Sequence, residues 1–384
     1  MNKNIIKIEM LQNKGVKIPN PASVEIGEDV EIGRISGNGV VIYSGCKIYG
    51  KSTLILRDAK LGYEAPATVE NCQVGPEVSL KGGFFKDAVF LRKAGMGSGA
   101  QVREGTILEE EAGAAHTVGL KQTILFPFVT LGSLINFCDC FMSGGTSRKD
   151  HSEVGSSYIH FNYTHNQDKA TPSLIGDVPN GVMLNQRPIF LGGQGGLVGP
   201  SRLTFGTLIA AGSIFRGDEL RPNRLIFEGG RSGNVAFAPG VYYGVKRIVE
   251  NNCIYIANLM ALMQWYQHVR SQFVSEDFPE LLLEGLREKL TMAIEERISR
   301  LKELCFKKGD ELLEMWTRIE ENFRTRRDEQ GDIALRDDFL EKIRIGIQEK
   351  GKDYIAVIKG LDENDAKMGS FWLQEIVDRV SPVI

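Results

Sequence analysis

Two hydrophobic rhythms divide this chain. Through the first 240 or so residues, aliphatic side chains return every sixth position, as in Ile26 and Ile32, then Ile42, Ile48 and Leu54, then Val74 and Leu80. The phrases that carry them, such as "VEIGEDVEIGRIS", "GCKIYGKSTLIL", "CQVGPEVSLKGG" and "GTLIAAGSIF", place a small residue after the aliphatic one and another small residue or Val three positions later. Short strands joined by tight corners are predicted there. Beyond residue 245 the period changes to three and four, as in Leu283, Leu286, Leu290, Ile294 and Ile298. That spacing lays one apolar stripe along a helix, and long amphipathic helices are predicted.

A six-residue register has a specific geometric meaning. Each aliphatic side chain points into a narrow triangular core, and three hexapeptides close one coil of roughly eighteen residues. The expected fold is mostly β, a left-handed parallel β-helix built of hexapeptide repeats and followed by an α-helical C-terminal domain. An antiparallel sandwich also gives short strands and Gly-rich turns, but its strands alternate at period two without a six-residue register. The interruptions at 136–152 and 160–174 are expected to leave the prism as loops.

Composition sets the boundary. Residues 1–244 carry 46 charged side chains and residues 245–384 carry 49, whereas only seven of the 43 glycines lie past 244. The expected organisation is an N-terminal lead-in at 1–20, the β-helix at 21–244 and the helical domain at 245–384. The helical part carries no chemical motif, and its alternating acidic and basic residues read as wet helix faces.

A net charge of −3 gives no electrostatic case for nucleic acid or an anionic membrane. No segment reaches the ~18 consecutive apolar residues of a membrane span. The N-terminus lacks the apolar run of a signal peptide. The six cysteines, without scaffold or paired C-x-x-C spacing, fit a reduced cytoplasmic protein.

Three longer phrases narrow the reading. "REGTILEEEAGAAHTVGLKQTIL", "SEVGSSYIHFNYTHNQDKATPSLIGD" and "FLGGQGGLVGPSRLTFGTLIAAGSIFR", preceded by "EMLQNKGVKIPNPASVEIGEDVEIG", follow one another in this order. Together they resemble the acetyltransferase half of the bacterial bifunctional glucosamine-1-phosphate acetyltransferase/N-acetylglucosamine-1-phosphate uridyltransferase family, over about residues 10–216. The family's nucleotidyltransferase domain has no place in this sequence, so uridyltransferase activity is not expected from this chain alone. The helical part matches nothing in that family.

The resemblance implies an acyltransferase acting on or binding a sugar phosphate or nucleotide sugar, with acetyl-CoA as donor. It also implies a homotrimer with sites in clefts between subunits. Arg103 and Lys121 match residues that hold the sugar phosphate, and Lys169 lies near a lysine that reaches the acceptor. Independently of the family, Arg103 and Lys121 are eighteen residues apart, one coil. They should stack about 4.8 Å from each other, a separation that an intervening phosphate would relieve. The acidic run "EGTILEEE" offers them other partners. Asn162, Tyr163 and Ala211 match acetyl-CoA contacts. Glu153 stands where the family has an asparagine at the acceptor site.

The family's catalytic histidine is replaced by Phe137 and its following tyrosine by Cys140. N-acetylation needs a base to take the proton of the attacking nitrogen. His160 is the candidate substitute, with His116 and His151 behind it. A catalytically degenerate sugar-phosphate-binding or scaffold protein, partnering a separate nucleotidyltransferase, is the alternative. His160 and His165 also share an H-x4-H spacing used by some trimeric β-helix zinc proteins, but the accompanying glycines are absent and no metal is expected.

Overall fold

The computed structural model describes residues 3–164, 168–228, 244–307 and 310–381. Strands only two to four residues long stack into three parallel sheets of ten, eight and ten strands. Each turn of chain contributes one strand to each sheet, so the sheets form the faces of a prism: a parallel β-solenoid, as the six-residue register predicts. Face one contains Lys47–Tyr49, Ala100–Val102, Val118–Leu120 and Ile159–Phe161. Face two contains Ala88–Phe90, Thr106–Leu108 and Cys140–Met142, and face three contains Gly113–Ala114, Glu153–Val154 and Leu208–Ile209.

Register shows why the repeat closes. Gln101 lies opposite Gly119, eighteen residues on, and Ile48, Val69, Phe85, Val102 and Leu120 follow one another up a single rung column. All five are buried. Like residues stacked this way bury a continuous apolar axis, at about 1.5–3 kcal/mol for each large side chain. Glycine is required where a corner is closest: at Gly62, whose φ is +86°, a Cβ would meet Cys46 Sγ at 2.2 Å.

The lead-in is helical. Helix α1 (Lys3–Lys14) lies against the first coil through Ile8 and Leu11. Lys7 Nζ donates to the carbonyls of Gly27, Glu28 and Val30, and Lys14 Nζ to those of Ile32, Gly33 and Ile35. Those carbonyls lie on the first coil, where no earlier strand can satisfy them.

One expected loop is shorter than predicted. Residues 136–143 stay in the solenoid, because Phe141 and Met142 pair with Ile124 and Leu125 on face two. Only the antiparallel ribbon Gly145–Ser147 with Asp150–His151 leaves it. The second interruption departs after Ile159–Phe161 and returns at Ser173–Ile175, as expected.

Past the solenoid's last strand, residues 229–243 lie outside the described residues, and the first helix of the C-terminal region begins at Val245. The short helix α2 (Val178–Gly181) belongs to the solenoid. The helical region comprises α3 (Val245–Gln264), α4 (Glu280–Phe306), α5 (Asp310–Thr325), α6 (Ile333–Lys350), α7 (Tyr354–Ile358) and α8 (Glu363–Val380). It does not stand apart. Helix α4 packs on the strands Gln73–Val74, Ala88–Phe90 and Thr106–Leu108, and α3 on Ser173–Ile175, so helices cover face two. Gly285 permits the approach, since a Cβ there would reach the Gln73 side chain at 2.7 Å.

Charged groups bind this seam. Arg57 is bidentate to Asp277, with both contacts at 2.6 Å. Arg270 stacks 3.8 Å from the Tyr354 ring and donates to Glu110. Tyr266 donates to Glu109 at 2.6 Å, and burial pushes the Glu109 carboxyl up to about 7 against the pull of Arg270.

Candidate functional site

Three of the candidate positions fall along one edge of the prism, between faces one and two. Arg103 follows Ala100–Val102, Lys121 follows Val118–Leu120 and Asn162 follows Ile159–Phe161. Val102 pairs with Leu120, so Arg103 and Lys121 occupy consecutive rungs, as their eighteen-residue spacing requires. Their side chains take separate partners. The Arg103 guanidinium lies 4.7 Å over the Phe84 ring, and Lys121 Nζ is 2.7 Å from Glu104 Oε1. Burial raises the Glu104 carboxyl, but the Lys121 ammonium outweighs it and leaves the group below its ordinary range.

Beside Lys121 a groove of about 520 Å³ opens between the solenoid edge and α4, with Glu104 and Gln122 on one wall and Glu296, Ser299 and Arg300 on the other. A helix of the C-terminal region thus forms one bank of the space that the candidate phosphate-binding lysine faces.

Asn162 is half-buried and donates from Nδ2 to Asp139 Oδ2 at 2.6 Å. Tyr163, 56% exposed, and Lys169, also exposed, stand on the same loop. Within it Thr164 Oγ1 donates to the Asp168 carboxylate, and Thr164 N to the Asp168 carbonyl. Ala211 is not brought to this edge. It is exposed on the turn after Leu208–Ile209, at the edge between faces three and one, with the width of face one between it and Asn162. Glu153 is on face three, 3.6 Å from His151 Nε2.

The candidate base is not in a groove. His160 is 1% exposed and points into the solenoid, its Nδ1 2.7 Å from the Cys138 carbonyl and its Nε2 2.7 Å from Ser173 Oγ. Burial drives its pKa down to about 4, despite the nearby Asp139 carboxylate. Phe137 is equally sealed, one rung away, with its ring centroid 6.2 Å from that of His160. Cys140 lies buried on the covered face, where burial holds its thiol far above the ordinary range. His116 is exposed at the edge between faces three and one, on the coil that carries Lys121. His165, the second histidine of the H-x4-H spacing, lies outside the described residues, and both ring nitrogens of His160 are already engaged.

Sequence reasoning missed Asp139 and Arg297. Arg297 Nη2 reaches from α4 to Asp139 Oδ1 at 2.8 Å, and both side chains are buried. Asp139 holds a left-handed backbone conformation, with a φ of +60°, which aspartate tolerates. The one available signal was a charge between two cysteines in an otherwise apolar phrase, and its partner lies 158 residues away.

No protein-family model matches the chain. Among individual proteins, it is similar to the bifunctional protein GlmU of Thermotoga maritima, 29% identical over 213 residues, which is 55% of this chain and 42% of that protein. GlmU of Fervidobacterium nodosum is 29% identical over 211 residues, 55% of this chain and 41% of that protein. GlmU of Staphylococcus haemolyticus is 27% identical over 208 residues, 54% and 40% of the respective lengths. The chain spans about 42% of the length of the curated relatives it matches. Over about 55% of its length, then, the chain has homologues named GlmU, and its parallel β-solenoid is consistent with the acetyltransferase half of those proteins.

Proposed function

We propose that the solenoid is an acyltransferase-like module that acts on or binds a sugar phosphate or nucleotide sugar, with acetyl-CoA as donor. The observation that carries this reading is the alignment of Arg103, Lys121 and Asn162, with Tyr163 exposed beside them, along one edge of the prism. Arg and Lys on consecutive rungs suit a phosphate, as a planar fork and a point charge. An exposed aromatic ring beside an anchored amide suits the pantetheine arm of the coenzyme.

Helices cover face two, so faces one and three are available to other copies of the chain. A homotrimer that sets the Lys121 edge of one copy against the opposite edge of the next would supply Ala211 to the coenzyme cleft. It would also bring His116 to the level of Lys121. In such an assembly His116, rather than the sealed His160, is the base for the attacking amine. The setting is the cytoplasm, where acetyl-CoA and sugar phosphates are both present.

A second reading is favoured by a specific observation. Phe137 at the family's base position and the neighbouring His160 are both shut inside the core, which leaves a binding protein that no longer transfers. Acetyl-CoA consumption in the presence of amino-sugar phosphates separates the two. The transferase reading expects turnover that Tyr163→Ala abolishes and that Lys121→Ala and His116→Ala reduce. Calorimetric binding of both ligands without turnover establishes the second reading, and failure to bind either ligand overturns both.

A further inference from the structure

The loop that leaves face one after Phe161 is tied at both ends to the helical region. At its start, Asn162 Nδ2 donates to Asp139 Oδ2, and Arg297 of α4 holds the other oxygen of the same carboxylate. At its end, the Ala170 carbonyl accepts from Asn252 Nδ2 of α3 at 2.9 Å, and Asn252 also binds the Ile248 carbonyl within its own helix. Asp139, Arg297 and Asn252 are all nine-tenths or more buried. Between these two ties lie the exposed Tyr163 and Lys169.

Adhesion alone does not account for a buried ion pair here. Removing Arg297 and Asp139 from water costs several kcal/mol per ion, and apolar side chains of similar volume would glue helix to solenoid at least as well. Arg297 Nε and Nη1 are buried without a hydrogen-bond partner among the described residues, which adds to that cost. What the pair supplies is direction. A carboxylate fixed through one oxygen presents the second at a defined place, and Asn162 occupies that place. Asn252 does the same for the returning segment by holding the Ala170 carbonyl, three residues before the chain re-enters face two at Ser173.

We propose that the helical region sets the conformation of the loop, with Arg297 and Asn252 as positioning residues for the acetyl-CoA contacts Asn162 and Tyr163. The coenzyme part of this inference rests on the reading given above. The helices thereby couple coenzyme affinity to whatever holds α3 and α4 against the solenoid.

Hydrogen exchange and calorimetry on the full chain test it. In Arg297→Met and in Asn252→Ala, the amides of 162–164 and 168–171 are expected to exchange at least tenfold faster, while those of 54–55 and 106–108 keep their protection. Acetyl-CoA affinity should fall at least fivefold, with glucosamine 1-phosphate affinity nearly unchanged. Arg297→Lys, which keeps the charge, should recover most of both effects. Should Arg297→Met not fold, Asn252→Ala carries the same test, since it removes only hydrogen bonds. Unchanged exchange in the loop, or an increase spread evenly over all coils, overturns the proposal. Wild-type protein that binds no acetyl-CoA would remove the coenzyme reading, whereas loop exchange would still decide whether the helices position this segment.

Discussion

His160 Nε2 and Ser173 Oγ lie 2.7 Å from each other inside the solenoid, linking face one to face two across the corner the candidate loop departs from. With Nδ1 on the Cys138 carbonyl, the imidazole is a structural crosslink, and burial keeps it neutral with a pKa near 4. A histidine whose folded pKa lies below its unfolded value of about 6.5 binds its proton more readily when unfolded. Its contribution to stability is therefore complete above pH 6.5 and is lost as the pH falls toward 4. The expected loss is on the order of 3 kcal/mol across that window. Urea denaturation at several pH values should show this acid slope in the wild-type chain. His160→Gln, with nothing to titrate, should reduce it, and an identical slope in both proteins would refute the assignment.

Glu109 titrates with the opposite sign. Its carboxyl, buried and bonded by Tyr266, rests near 7 in the folded chain against about 4.5 when exposed. The folded state holds the proton more tightly, so this group's stabilisation is present below pH 4.5 and is lost as the pH rises to 7. Glu109→Gln keeps an acceptor for the Tyr266 hydroxyl and removes the titration. Compared with wild type, it should gain relative stability between pH 5 and 7.5, measured by the same denaturation series. A difference that does not change with pH would show that the carboxyl is ionised throughout.

The solenoid's corners make a sharper prediction. Gly83 has a φ of +132°, and a Cβ there would stand 2.2 Å from the Ala100 carbonyl oxygen of the next coil. The obstacle is backbone, which cannot rotate away. Gly83→Ala should destabilise the chain by more than about 2 kcal/mol. Gly33, where a Cβ would meet nothing within 4 Å, should tolerate the same change, with a midpoint shift in urea close to zero.

These positions also show what the sequence made legible. The six-residue return of Ile42, Ile48 and Leu54 is a local signal, because stacking places each residue against its equivalent one coil away, and the fold could be read from it. The stacking of Arg103 on Lys121 was legible for the same reason. The partner choices were not, since Glu104 competes with any phosphate for Lys121 and nothing in the spacing decides between them. His160 misled because a lone histidine beside Asn162 and Tyr163 looks functional. Whether it faces inward depends on strand alternation, and Ile159–Phe161 points its middle residue into the core. The covering of face two was invisible, because its links, such as Arg57 to Asp277, join residues 220 positions apart.

The last prediction concerns that competition. Glu104 holds Lys121 at 2.7 Å on a partly exposed edge, and a sugar phosphate bound at Lys121 must displace the carboxylate. Exposed pairs of this kind contribute about 0–1 kcal/mol, so releasing Lys121 should tighten phosphate binding by no more than about fivefold. Glu104→Gln is expected to give that gain, and Lys121→Ala to weaken binding and flatten its dependence on salt. Calorimetry with glucosamine 1-phosphate at low and moderate ionic strength reads both. If Glu104→Gln weakens binding instead, the carboxylate is itself a ligand for the sugar, and the phosphate belongs elsewhere along the edge.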